Sequence, residues 1–270
     1  MIDKLTIQEL TSEEARQNLN DEAVILLPMG SLEDQGVHAP MGDYLAAEAV
    51  ALEMARTARA EGVLTFVAPV IPFGGKDYFD SSHGGISIRL STLIALLDDM
   101  IDGLHRHGLT KLLILNGHAG NVPAITEVTM RWREKADLFI PAMYLWQIAY
   151  GLLPDILGSE TAKKSSGHGG DPLTSMGLHH FPEILRPDLM RAPSTRGTVK
   201  GMEIGGFAAI RYDGANIQAP VLASETAPDG IWMGDPKLSR AETGAELTRR
   251  LCAIGAGLIR DHIAPGLPKD

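Results

Sequence analysis

Short apolar runs alternate with longer segments of helical periodicity through the first half of this chain, and that alternation restricts its fold more than any other feature. Residues 23–28 (AVILLP), 63–71 (VLTFVAPVI), 111–115 (KLLIL) and 138–145 each read as a buried strand. Residues 44–61 (YLAAEAVALEMARTARAE), 91–107 and 121–135 carry apolar residues at helical spacing, with Ser91 or Thr92 as a cap for the second. This order predicts a mostly parallel sheet covered by helices, hence a layered α/β/α fold in a single domain over residues 1–270. Such sheets bind ligands beyond the carboxyl ends of their strands. The polar clusters fall there, since residues 30–43 follow the first strand and residues 116–121 follow the third.

The second half reads less sharply. Residues 154–171 (PDILGSETAKKSSGHGGD) have the composition of a loop able to close over a site. Gly-rich, partly strand-like segments run from 193 to 228, and a long helix is expected near 236–262.

Composition narrows the function classes. With 270 residues, 44% of them hydrophobic, the chain should bury roughly three quarters of its unfolded surface. The single cysteine, Cys252, permits no internal disulfide and sits on an apolar helical face as a small hydrophobe. A net charge of −10 without a basic run excludes nucleic acid as a partner. The N-terminus lacks a signal peptide's apolar stretch, and no segment approaches the ~20 apolar residues of a membrane span, so a cytoplasmic protein is expected. G-x-S-x-G, G-x-G-x-x-G and P-loop patterns are absent, which leaves serine-triad chemistry and nucleotide binding without support.

Four glycine-flanked polar segments carry the chemistry. GSLEDQGVHAPMGD holds Glu33, Asp34, His38 and Asp43 between Gly30, Gly36 and Gly42. Glycine allows tight turns, so these side chains can converge on one point. Carboxylates with an imidazole suit a divalent cation such as Zn²⁺ or Mn²⁺, the plain alternative being a polar surface loop. NGHAGN sets His118 between glycines at a strand end, SGHGGD carries His168 and Asp171, and SSHGG carries His83. Together they point to a metal or acid–base site. His105, His107, His179, His180 and His262 read as surface or packing positions, Trp132 as core, Trp146 as pocket wall or core, and Trp232 as a subunit contact.

Taken in order, these segments resemble the creatininase (creatinine amidohydrolase) family. Its pattern is G-S-x-E-Q-H-G-x-H-L-P-x-x-T-D, then N-G-H-G-G-N, then H-A-G-E-x-E-T-S. The chain matches these from Gly30 to Asp43, from Asn116 to Asn121 and from His168 to Ser175, and Gly234-Asp235-Pro236 fits the C-terminal pattern. The resemblance implies one or two divalent metals, a small-molecule substrate and a homo-oligomer, a hexamer or another dimer-based assembly. It places Glu33 and His118 on one metal, Asp43 as the bridging carboxylate and Asp171 on the other metal. Gln35 stands where the family has a ligand histidine, and Leu173 where it has a second glutamate. Gln35 or His38 would then substitute as ligand, or the second metal is lost. His168 and His83 are expected to act as acid–base catalysts, and His38, Asn116, Trp146 and Tyr44 to bind substrate.

The E-D-Q-G and P-M-G-D-Y segments further resemble the inositol-catabolic branch, which hydrolyses 3-dehydro-scyllo-inosose. The expected reaction is therefore hydrolytic opening of a small polar cyclic carbonyl compound, a diketo-cyclitol by C–C cleavage. A cyclic amide opened at C–N, or isomerase or lyase action on keto-sugars or keto-cyclitols, is the alternative.

Overall fold

A computed structural model of the chain describes residues 2–75, 79, 83–194 and 197–266. Its central sheet has four parallel strands, β1 (Val24–Met29), β2 (Thr65–Val67), β3 (Lys111–Asn116) and β4 (Ala142–Tyr144), in the order β2-β1-β3-β4. Nine helices are assigned among the described residues: α1 (Ser12–Asn18), α2 (Tyr44–Ala60), α3 (Leu90–Arg106), α4 (Val122–Ala136), α5 (Leu145–Leu157), α6 (Ser159–Ser165), α7 (Leu173–His180), α8 (Ala223–Thr226) and α9 (Ala241–Leu258). The layered α/β/α architecture is the one expected.

Alternation along the strands divides the core. Val24, Leu26, Leu113 and Leu115 face α2, α5, α7 and α9, whereas Ile25, Leu27, Leu112 and Ile114 face α3 and α4. Successive strand side chains point to opposite faces, so a sheet covered on both sides needs apolar residues at every position. The six residues of β1 are all buried for that reason. On α3, Leu93, Leu97 and Ile101 recur every fourth residue and form the stripe that meets the sheet.

Strand order also locates the ligand crevice. From β1 the chain steps to β2 on one side, then crosses to β3 on the other. The carboxyl ends of β1 and β3 therefore flank the topological switch point, where open parallel sheets bind ligands.

Several expectations need correction. Residues 154–171 are not an open loop: α5 runs to Leu157, Gly158 turns the chain at φ 77°, and α6 follows at once. Ala162 and Ser165 are buried on that short helix, so its Ser- and Lys-rich composition describes an exposed helical face. The fourth strand is shorter than 138–145, and Leu145 and Trp146 already belong to α5. Arg89, not Ser91 or Thr92, precedes the first turn of α3. The Gly-rich region forms a second, antiparallel sheet of β5 (Thr198–Val199), β6 (Met202–Gly206), β7 (Ala209–Tyr212) and β8 (Ala215–Gln218). No helix among the described residues is long and apolar enough to cross a membrane.

Candidate metal centre

The loop after β1 folds back on itself. The Gly42 amide donates to the Glu33 carbonyl (2.8 Å), which brings Asp43 beside Glu33. Gly42 has φ 95°, and a Cβ there would lie 2.5 Å from the Ser31 carbonyl oxygen. Gly30 is equally constrained: a Cβ would come within 2.5 Å of Asp43 Oδ1. That carboxylate oxygen accepts from the Ser31 amide (2.7 Å) and faces the Ser31 hydroxyl at 3.3 Å. Asp43 thus opens α2 with its side chain aimed away from the helix and into the crevice.

The loop after β3 supplies the third group. Gly117 donates to the Met29 carbonyl (2.8 Å), continuing the β1–β3 pairing past the last strand residues. Asn116 closes a tight turn around His118, accepting from the His118 amide (3.0 Å) and donating to its carbonyl (2.6 Å). Asn121 ties this loop to the first one by donating to the Gly30 carbonyl (3.0 Å). As a result His118 Nδ1 lies 3.3 Å from Glu33 Oε2 and 3.3 Å from Asp43 Oδ2.

Glu33, Asp43 and His118 are 6%, 3% and 3% exposed, and their ligating atoms all lie within 4.8 Å of one another. Burial pushes both carboxyl groups well above their ordinary range, and His118 opposes it; the charge of Asp43 raises Glu33 further. Two carboxylates side by side in a dry crevice are an unfavourable arrangement that a cation relieves. The trio also offers the three protein ligands of an open catalytic metal site. Its donor chemistry fits a divalent ion.

A cavity of about 340 Å³ opens over this trio. Gln35, Tyr144, Trp146, Ser166, His168 and Leu173 line it, with Phe79, Tyr150, Phe207 and Trp232. Trp146 is anchored by its indole N–H to the Gly117 carbonyl. His168 Nε2 lies 2.7 Å from the Asp34 carbonyl oxygen, which can only accept, so Nε2 carries the proton and Nδ1 is left as an acceptor. Phe79 stacks on the His168 ring at 4.4 Å, and Phe207 meets its edge at 5.5 Å. Burial and the charge of Asp43 raise the Tyr144 phenol, which keeps it a hydrogen-bond donor.

Other expected residues lie elsewhere. Asn116 is fully engaged in shaping its own loop and does not line the cavity, so it positions His118. Tyr44 turns its ring back over Gly42, outside the cavity lining. His83 is exposed and is not among the lining residues. Asp171 does not join the ligand trio; its Oδ1 accepts from the Ser175 (2.5 Å) and Ser239 (2.7 Å) hydroxyls. Trp232, expected at a subunit contact, is a cavity wall.

His38 is likewise absent from the lining and is buried at 1% exposure. The Thr174 hydroxyl donates to the Gly169 carbonyl (3.0 Å) and therefore accepts from His38 Nε2 (2.9 Å). This bond staples the first loop to the segment carrying His168. Burial pushes the His38 imidazole down to about 4, against an ordinary 6.5. The folded state thus holds His38 neutral while an unfolded histidine takes up a proton. Its contribution is complete above pH 6.5 and is lost as pH falls through that value towards 4. At 1.36 kcal/mol per pH unit the loss is about 3 kcal/mol. His180, also pushed to about 4, acts in the same direction. Melting temperature should fall between pH 6.5 and 4, less steeply in His38→Gln; parallel profiles would refute the assignment.

The sequence profile of the family described as creatinine amidohydrolase matches residues 8–258. The chain belongs to the creatininase family. Creatinine amidohydrolase of Pseudomonas putida is 29% identical over 194 residues, covering 65% of this chain and 70% of that protein. Mycofactocin precursor peptide peptidase of Mycobacterium ulcerans (strain Agy99) is 27% identical over 241 residues, covering 83% and 79%. The 3-dehydro-scyllo-inosose hydrolase of Thermotoga maritima is 31% identical over 195 residues, covering 67% of this chain and 58% of that protein. A solved manganese creatininase aligns with TM-score 0.72 at 24% identity over 97% of this chain and 99% of its own. A mutant creatininase of the Zn-Zn type aligns equally well, with TM-score 0.72, 24% identity and the same coverage. These two likenesses establish the creatininase fold.

Within this creatininase-family chain, the walls escaped sequence reasoning more than the trio did. Tyr144 and Tyr150 lie on β4 and α5, and Phe207 on the turn between β6 and β7. No local motif marks them. The one usable signal was the aromatic pair Tyr144 and Trp146 at the end of the fourth apolar run.

Proposed function

We propose that this chain is a divalent-metal-dependent hydrolase that opens a small polar cyclic carbonyl compound. The observation that carries this reading is the buried convergence of Glu33, Asp43 and His118 beneath a cavity of about 340 Å³. A Zn²⁺ or Mn²⁺ ion held by these three would lower the pKa of water towards ~7 and polarise a substrate carbonyl. Gln35 donates to Glu33 Oε1 (3.0 Å) and fixes that carboxylate's orientation. His168 serves as the proton carrier, since Nε2 is committed to the Asp34 carbonyl and Nδ1 is left to take a proton from water and return it to the leaving atom.

A diketo-cyclitol such as 3-dehydro-scyllo-inosose is the first substrate class. Such a ring is apolar on its faces and polar around its rim. Trp146, Phe79 and Phe207 supply flat walls, while Ser166, Tyr144, Tyr150 and the Gln35 carboxamide oxygen supply rim partners. Water oxygen would bond to the carbonyl carbon, the adjacent C–C bond would break, and the resulting enolate carbon would take the proton from His168. A cyclic amide is the second reading, favoured by the Pseudomonas putida relative; there the C–N bond breaks and nitrogen takes the proton.

Chelated and metal-reloaded protein should be incubated with a cyclic β-diketone and with a cyclic amide, and the products weighed by mass spectrometry. Metal-dependent gain of one water by either class supports the reading, and the class that reacts chooses between the two. An unchanged product mass would indicate isomerisation, and no reaction with either would end the proposal. His168→Gln should bind the metal normally yet turn over about 10²-fold or more slowly, because a positioned acid–base group contributes on that order. Full activity in that variant would remove His168 from the mechanism. Assembly of like chains in the cytoplasm belongs to the same reading, and light scattering showing a monomer would remove the assembly.

A further inference from the structure

Only three ionisable ligand side chains converge at the centre among the described residues, Glu33, Asp43 and His118. We propose that the centre holds one divalent ion per chain and not two, with Gln35 and Leu173 closing the space where a second ion would need charged or imidazole ligands. The inference rests on the metal-hydrolase reading above and specifies the stoichiometry of that site.

Charge balance is the first argument. The two carboxylates neutralise a single divalent ion. A second ion would leave a dipositive surplus beside Phe79, Trp146, Leu173, Phe207 and Trp232, none of which can compensate it. Uncompensated charge in an apolar crevice costs several kcal/mol per ion. One bound hydroxide would offset only half of that surplus.

Ligand count is the second argument. Three side chains with one open position complete a tetrahedral catalytic site. Shared between two ions, the same three would leave both under-coordinated. Asp171 is not among the cavity-lining residues; its Oδ1 accepts from Ser175 and Ser239, and it stands outside the group.

Gln35 makes the third argument. A carboxylate can only accept, so the 3.0 Å contact with Glu33 Oε1 fixes the carboxamide nitrogen there and leaves Oε1 on the other side. That oxygen is buried and has no hydrogen-bond partner among the described residues. It is a neutral acceptor, able to meet a substrate hydroxyl or N–H, but it supplies none of the negative charge a second ion requires. Leu173, at the start of α7, adds an apolar wall.

The test is metal content of the full chain. Protein equilibrated with Mn²⁺ and freed of excess should contain one ion per chain by plasma mass spectrometry, with the resolved hyperfine spectrum of an isolated Mn²⁺. Two ions per chain, or an exchange-coupled spectrum, would overturn this inference and leave the hydrolase reading intact. No bound metal would overturn the hydrolase reading itself. The double variant Gln35→His/Leu173→Glu should rise to two ions per chain. If it folds, as its circular dichroism would show, and still holds one, the assignment of those two positions is wrong.

Discussion

Asp43→Asn is expected to cut turnover by on the order of 10³-fold while raising the melting temperature of the metal-free protein. The substitution is nearly isosteric, and its amide oxygen can still accept from the Ser31 amide, now at 2.7 Å. It removes one of two buried negative charges whose ionisation the fold disfavours. Without metal, that removal relieves both the desolvation of Asp43 and its repulsion of Glu33. With metal, it takes away half of the charge that holds the ion. The two effects have opposite sign, so paired melts with and without Mn²⁺ separate them. The parent should gain stability on metal addition and the variant should gain little. A variant that keeps full turnover, or melts lower than the parent when both are metal-free, would show that Asp43 is not the ligand proposed.

Gly244→Ala should be the most damaging single-methyl addition away from the cavity. A Cβ at Gly244 would lie 2.0 Å from the Ser175 carbonyl oxygen and 2.6 Å from its carbon, both backbone atoms of α7. Neither can rotate aside, so α7 and α9 must separate. Overpacking of this kind costs about 3 kcal/mol. For a chain of this size that is a fall of roughly 6–10 °C in melting temperature. Activity should drop as well, because α7 begins at Leu173 on the cavity wall. Gly103 provides the control: it lies inside α3 with nothing within 4 Å of an added Cβ. Gly103→Ala should be neutral or stabilise by up to about 1 kcal/mol. Equal melting temperatures for the two variants would refute the packing argument.

The contrast between trio and walls explains how much of the site was legible in sequence. Glu33, Asp43 and His118 are found by reading because they sit in glycine-bounded loops just beyond strands whose apolar runs are plain, and a parallel sheet brings adjacent strand ends together. Tyr44 misled because adjacency to Asp43 in sequence is not adjacency in the crevice; at the first turn of α2 its ring turns back over Gly42. Asp171 stands apart from the trio, its Oδ1 accepting from two hydroxyls, although the motif it sits in reads like the others. The antiparallel sheet was hidden by its weak signal: its strands have two to five residues, and much of their surface is exposed. The α6 helix was hidden by composition, since only Ala162 and Ser165 are buried on it.

The strand order β2-β1-β3-β4 has a consequence for how such a chain can diversify. The three groups that would grip the ion issue from two neighbouring strand ends, braced by Asn116, Asn121 and Ser31. Apart from Gln35 in the first loop, the surfaces that would touch substrate come from other stretches: residues 79, 144–150, 166–173, 207 and 232. The proposed grip on the ion and most of the substrate walls are therefore written in separate parts of the polypeptide, with His168 alone carrying proposed chemistry within the wall segments. Drift in the wall segments outside His168 can retune what enters without disturbing the ion's grip, so chains built on this plan can keep one kind of chemistry while accepting different molecules.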